Sequence, residues 1–197
     1  MRPIIVALLL LLIAPEALAD PPPWAGTTVP IHDYTSSDWD GIFGATVGQF
    51  NAMLAPGGPR LVYRRMSPTP CDAITTPKPK KWRGIVVCSS GTPLPNNFAG
   101  YTTWDVGWGQ RQGLVLRRVQ IALTFPVTGS QHNLACHELM HAVTGIPDNY
   151  GAAPDTSCVW GDLPSPGSFD VAHAKQVYEG KKPNDKAKRR EHRKRHH

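Results

Sequence analysis

The sequence predicts one α+β domain, and three observations carry that prediction. At 197 residues, with 41% hydrophobic and 18% charged side chains, the chain has room for one ordinary globular domain. Its 20 prolines and 18 glycines exceed average usage and favour short elements joined by loops over a helical bundle or a coiled coil. Stretches with strand-like patterns and stretches of helical spacing are interspersed along the chain, so both kinds of element belong to the same unit.

Val29–Tyr34 reads as the first strand. Asp38–Leu54 reads as a helix, because Trp39, Ile42, Phe43, Val47, Phe50 and Leu54 recur at spacings of three and four. The Pro56-Gly57-Gly58-Pro59 turn then leads into a strand over Leu61–Arg65. Prolines and lysines mark Ser67–Lys81 as an exposed loop, and Gly84–Cys88 follows as another strand. Trp104, Trp108 and the glycines around them read as a loop before an edge strand at Arg117–Thr124, which has one solvent-facing side. Gln131–Thr144 reads as a helix stopped by Gly145 and Pro147, and Ser168–Tyr178 as a last helix that opens on Ser-x-Asp and ends before Gly180.

The two ends have different chemistry. Arg2, the apolar run Ile4–Ala14 and Ala17-Leu18-Ala19 form the pattern of a secretory signal, with cleavage expected after Ala19. A membrane anchor would need ~20 apolar residues, and Pro15 and Glu16 interrupt this run. Residues 181–197 carry nine Lys/Arg, two acids and three His, so this basic tail cannot build a core. Residues 21–180 balance eleven Lys/Arg against eleven acids. The net charge of +6 therefore belongs to the tail and says nothing about the domain, which is expected over residues 20–180. Such a tail suits contact with an anionic cell surface or nucleic acid, although a merely solvated end accounts for it more simply.

The chemistry centres on His137-Glu138-Leu139-Met140-His141. On a helix, residues four apart share a face, so His137 and His141 can offer two imidazole nitrogens to one metal ion with Glu138 beside them. Asp148, just past the helix-ending Gly145, supplies an acceptable third ligand and leaves the fourth position to water. Asp155, Asp162, Asp170 and Glu179 are the fallback acids. His132 is off the ligand face, and His173 has no motif around it, so both read as ordinary structural or surface histidines.

These residues resemble the metzincin clan of zinc metallopeptidases, in particular small secreted bacterial members with Asp as third ligand. His137, Glu138, His141, Gly145 and Asp148 match the clan pattern by residue type, and the order of elements over residues 29–180 is also similar. The resemblance implies a zincin-like fold: a mixed, twisted sheet of about 4–5 strands, an active-site helix, a backing helix and a C-terminal helix. It implies one catalytic zinc held by His137, His141 and Asp148, with Glu138 as general base for hydrolysis of a protein or peptide substrate laid along the edge strand. Structural calcium is not addressed by it, and a monomer is expected. Two departures stand out. Gly145 follows His141 by four residues where the clan has three, an extra ~100° on a regular helix. Val159, in Ser157-Cys158-Val159, stands where related sequences place the Met of the turn beneath the metal. These departures motivate the alternative of a degenerate zincin-fold binding protein attached to anionic surfaces through the tail. Tyr150, two residues past Asp148, is a candidate oxyanion donor or packing residue.

Four cysteines in an exported chain imply disulfides, with three connectivities open. Cys136–Cys158 is favoured because it ties the start of the zinc helix to the turn under the metal, and Cys71–Cys88 because it closes the exposed loop onto a strand. Cys136 is alternatively a ligand beside His137, but neighbours on a helix diverge by ~100°.

Overall fold

Strand β1 (Thr28–Tyr34) buries Val29, Ile31 and Asp33 and leaves the alternate positions Pro30, His32 and Tyr34 partly exposed, which gives the sheet one buried face at this strand. The computed structural model describes residues 24, 28–54, 58–74, 84–90, 94, 99–109, 113–124, 130–146, 148 and 156–178, with residues 73, 105–109 and 113–118 described by backbone alone. The secretory signal, the basic tail, Tyr150, Asp155 and Glu179 lie outside the described residues.

The described residues form an α+β arrangement with a five-stranded mixed sheet and three α-helices. The sheet comprises β1, β2 (Arg60–Arg65), β3 (Gly84–Ser89), β4 (Gly100–Gly109) and β5 (Gly113–Leu123), in the order β2-β1-β3-β5-β4. Four strands run parallel, with Val29 opposite Leu61, Ile31 opposite Ile85, and Ile85 opposite Val119. Only β4 is antiparallel, placing Thr102 opposite Ile121. Helices α1 (Ile42–Leu54), α2 (Gln131–Thr144) and α3 (Ser168–Tyr178) pack on one another, with α1 also on β2 and α2 on β4 and β5. Their apolar sides meet Val29, Ile31, Ile85, Val87, Val119, Ile121 and Leu123 in the core. Central β3 is buried on both faces, and the short helical turn Cys71–Ala73 packs on it through the Cys71–Cys88 disulfide.

Two expectations are corrected. The strand expected over Arg117–Thr124 is the second half of β5, which ends at Leu123, lies between β3 and β4 and is no edge. The edge beside it is β4, over the stretch read as a loop around Trp104 and Trp108. Its glycines lower strand propensity, and pairing along β5 overrides that, with a register shift at Asp105/Val106 absorbing the irregularity. The helix read over Asp38–Leu54 is split into a short turn at Ser37–Trp39 and α1. Gly41, at φ 79°, adopts a left-handed conformation that an α-helix cannot continue through.

Polar links lock β2 onto its neighbours. Fully buried Asp33 accepts from the Thr35 amide (2.9 Å), the Thr35 hydroxyl (2.6 Å) and the Tyr63 hydroxyl (2.7 Å), and pairs with Arg65 at 3.0 Å. Burial and the bond to Asp33 push the Tyr63 phenol well above its ordinary value. Asn51 of α1 donates to the Leu61 carbonyl at 2.9 Å and accepts from the Leu61 amide at 2.8 Å.

Both expected disulfides are present, and no described helix is long and apolar enough to cross a membrane. Cys136–Cys158 joins residues 22 apart, linking fully buried Cys136 in α2 to fully buried Cys158 in the turn after the helix. Replacing both cysteines by Ser is expected to cost about 3 kcal/mol by restoring freedom to the unfolded chain. A thermal melt unchanged from wild type would contradict this.

Candidate metal centre

Helix α2 begins where the Ser130 side chain accepts the Asn133 amide at 3.3 Å, an N-cap that satisfies one of the helix's unpaired donors. Ala135, Cys136, Leu139, Met140 and Val143 then turn into the core. Gly145 ends the helix in a left-handed conformation, φ 74° and ψ 11°, and its amide donates to the His141 carbonyl at 2.9 Å. The Ala142 and Val143 carbonyls of the last turn lie beyond the helical ladder, and three other segments supply donors to this end of the helix. The Trp104 indole reaches His141 O at 3.3 Å, the Trp24 indole reaches Ala142 O at 2.9 Å, and the Tyr178 hydroxyl reaches Val143 O at 2.5 Å.

His137 and His141 project from the same side of this helix, and their Nε2 atoms are 3.0 Å apart. Asp148 Oδ1 lies 3.3 Å from His137 Nε2 and 3.0 Å from His141 Nε2. The extra residue before Gly145 therefore does not carry Asp148 away, because the helix stays regular through Thr144 and the left-handed glycine turns the chain back. One ligand atom from each of the three residues falls within 4.8 Å of the others. His141 is nearly buried, His137 a quarter exposed and Asp148 largely exposed.

The ring tautomers follow from the partners. The Ile146 carbonyl, 2.5 Å from His141 Nδ1, can only accept, so Nδ1 is the donor and a neutral ring presents the Nε2 lone pair to the triad. A hydrogen bond to the Cys158 backbone accompanies His137. Burial pushes the His137 imidazole below its ordinary value, His141 adds to this, and Asp148 opposes it. That keeps the ring in the neutral form a metal needs.

Glu138 is buried, and its carboxylate accepts the Thr102 hydroxyl of β4. Burial raises its pKa above the ordinary carboxylate value, while the Thr102 bond and His141 pull in the other direction. Gly100, Tyr101, Thr102 and Trp104 of β4 join His137, Glu138, His141 and Asp148 in lining a cleft of about 560 Å³. Among the described residues, Tyr101 and Trp104 are two of the exposed large apolar side chains.

The other nominated residues are elsewhere. Asp170 is fully buried and engaged by Ser157, Cys158 and Gly167. Both of its oxygens are engaged by donors around the turn, so it is not a spare ligand. Asp162 and His132 are exposed, and His173 is buried and stacked on Phe169. Cys136, Cys158 and Asp170 also lie close together, but both sulfurs are consumed in the disulfide, which removes Cys136 from the ligand candidates. Val159 is buried in the core next to Cys158, with its amide bonded to the Ser157 hydroxyl at 3.0 Å. Missed from sequence were Gly100, Tyr101, Thr102 and Trp104. The run of β-branched and aromatic residues from Tyr101 to Trp104 was the available strand signal, masked by the glycines around it. No protein-family model matches the chain, and no curated protein does.

Proposed function

We propose that the protein is a zinc-dependent endopeptidase of the metzincin type, built on a zincin-like fold. One observation carries the reading: His137 Nε2, His141 Nε2 and Asp148 Oδ1 lie 3.0 to 3.3 Å from one another. Ligands about 2.0–2.1 Å from a tetrahedral zinc sit about 3.3 Å apart, so this donor set fits that ion, and three protein ligands leave a position open for chemistry. Zinc bound there supplies a Lewis acid and a water of lowered pKa.

The chain's own residues do the rest. His137 and His141 bind through Nε2, with the Ile146 carbonyl holding the His141 ring in the ligating tautomer. Glu138 takes a proton from the attacking water and returns it to the leaving nitrogen as the peptide C–N bond breaks. Its partial shelter by β4 suits that task, since a raised pKa makes it a better base. Strand β4, at the edge of the described sheet, offers backbone groups for an extended substrate by strand addition. The two disulfides suit an oxidising, extracellular or periplasmic setting, in keeping with the expected secretory signal.

The test is hydrolysis of unfolded casein by zinc-loaded mature protein with and without a chelator. Chelator-sensitive cleavage is expected, and its absence would reject the reading. Asp148→Ala is expected to weaken zinc binding by more than the ~10–100-fold typical of an outer-sphere change, as read by competition with a chromophoric chelator. Undiminished affinity would move the third ligand to another acid.

A further inference from the structure

Side chains two residues apart in a strand point the same way, and in β4 this places Gly100, Thr102 and Trp104 together against α2. Each meets that helix at a different atom. Trp104 donates to the His141 carbonyl at 3.3 Å. The Thr102 hydroxyl donates to Glu138 Oε2 and lies 3.3 Å from the Glu138 carbonyl. At Gly100, a Cβ would stand 2.5 Å from Glu138 Oε1 and 2.9 Å from both Cδ and Cγ. The space that Glu138 fills exists because residue 100 has no side chain.

We propose that Thr102 is a positioning residue for Glu138, with Gly100 as the opening that admits the carboxylate. This rests on the peptidase reading and specifies how its base is aimed. A hydroxyl has one proton to give, and an ionised carboxylate only accepts. Thr102 therefore anchors Oε2 and leaves Oε1, in front of Gly100, as the oxygen that carries the reaction proton. The arrangement is not needed by the strand itself. Val has the same shape and at least as good a strand propensity, whereas a hydroxyl at a position only 7% exposed is costly unless it has a partner. Glu138 is that partner. The same strand forms the sheet edge, so the element that would pair with substrate also sets the direction of the base.

The experiment compares the full mature chain with Thr102→Val, Thr102→Ser and Gly100→Ala. With zinc bound, Thr102→Val is expected to lower kcat by roughly 10- to 100-fold, with KM and zinc affinity unchanged, and Thr102→Ser to restore it. Gly100→Ala displaces the end of the flexible Glu138 side chain and is expected to reproduce the loss with Thr102 intact. A second readout needs no activity: the carbon-13 resonance of the Glu138 carboxyl in metal-free protein, recognised as the one missing from Glu138→Gln. It is expected to shift in Thr102→Val and return in Thr102→Ser. Wild-type kcat in Thr102→Val, or an unshifted resonance, overturns the proposal. Should zinc-loaded wild type cleave nothing, the peptidase reading falls and takes the assigned role with it, while the resonance still reports whether Thr102 holds the carboxyl.

Discussion

Glu138→Gln is expected to keep zinc bound and to lower peptide cleavage by about 10²- to 10⁴-fold, the usual worth of a positioned general base. The amide fills the same space and can still accept the Thr102 hydroxyl, but it cannot take a proton from water. Activity within a few-fold of wild type would remove Glu138 from the mechanism. The same substitution is expected to stabilise the metal-free protein. Burial raises the folded pKa of Glu138 above its ordinary 4.5, so the folded state resists ionisation. Below the ordinary value the carboxyl is neutral in both states and there is no penalty. The penalty grows as pH rises through 4.5 and is complete above the raised folded value. Glu138→Gln should therefore melt higher than wild type at neutral pH and alike at low pH, both measured in chelator. A lower melting temperature for the variant at neutral pH would contradict the argument.

Asp170→Ala is expected to destabilise the fold by about 3 kcal/mol or more. Asp170 is fully buried and accepts from the Ser157 hydroxyl at 2.6 Å and from the Cys158 and Gly167 amides at 2.9 Å each. Truncation leaves three donors without their acceptor, each costing about 1–3 kcal/mol when buried. Water entering the new cavity would recover part of this. The loss should also reach the proposed metal centre, because the turn that Asp170 organises carries Cys158, whose backbone holds His137 and whose sulfur is tied to Cys136. A urea midpoint and zinc affinity both equal to wild type would show that the turn organises itself.

Helix α2 was legible to the residue, from Gln131 to Thr144, because its signals are local: helical spacing of apolar residues, then Gly145 as a stop. Helix α3 was equally legible, over Ser168–Tyr178. Strands β1, β2 and β3 were read to within one residue, since each is a short apolar-rich run between turn signals. The start of α1 was not. The periodicity that includes Trp39 continues across Gly41 in sequence, while the left-handed backbone there interrupts the helix in space. Strand β4 was missed altogether, because Gly100, Gly107 and Gly109 are poor strand formers and only pairing with β5 makes the segment a strand.

The sequence by itself determined the local elements, the number of cysteines and the His137-Glu138-His141 core of the candidate site, since each depends on residues close together in the chain. The tertiary structure decided which strand is the edge, that Asp170 is structural, and that Asp148 reaches the two histidines in spite of the longer spacing to Gly145. It also brought Thr102 and Gly100 to Glu138 across 36 and 38 positions of chain. The physical reason is the range of the interaction. A helix repeats every 3.6 residues and reports its face in its own sequence, whereas sheet order and loop return are settled by contacts between distant segments, whose partners no local pattern names.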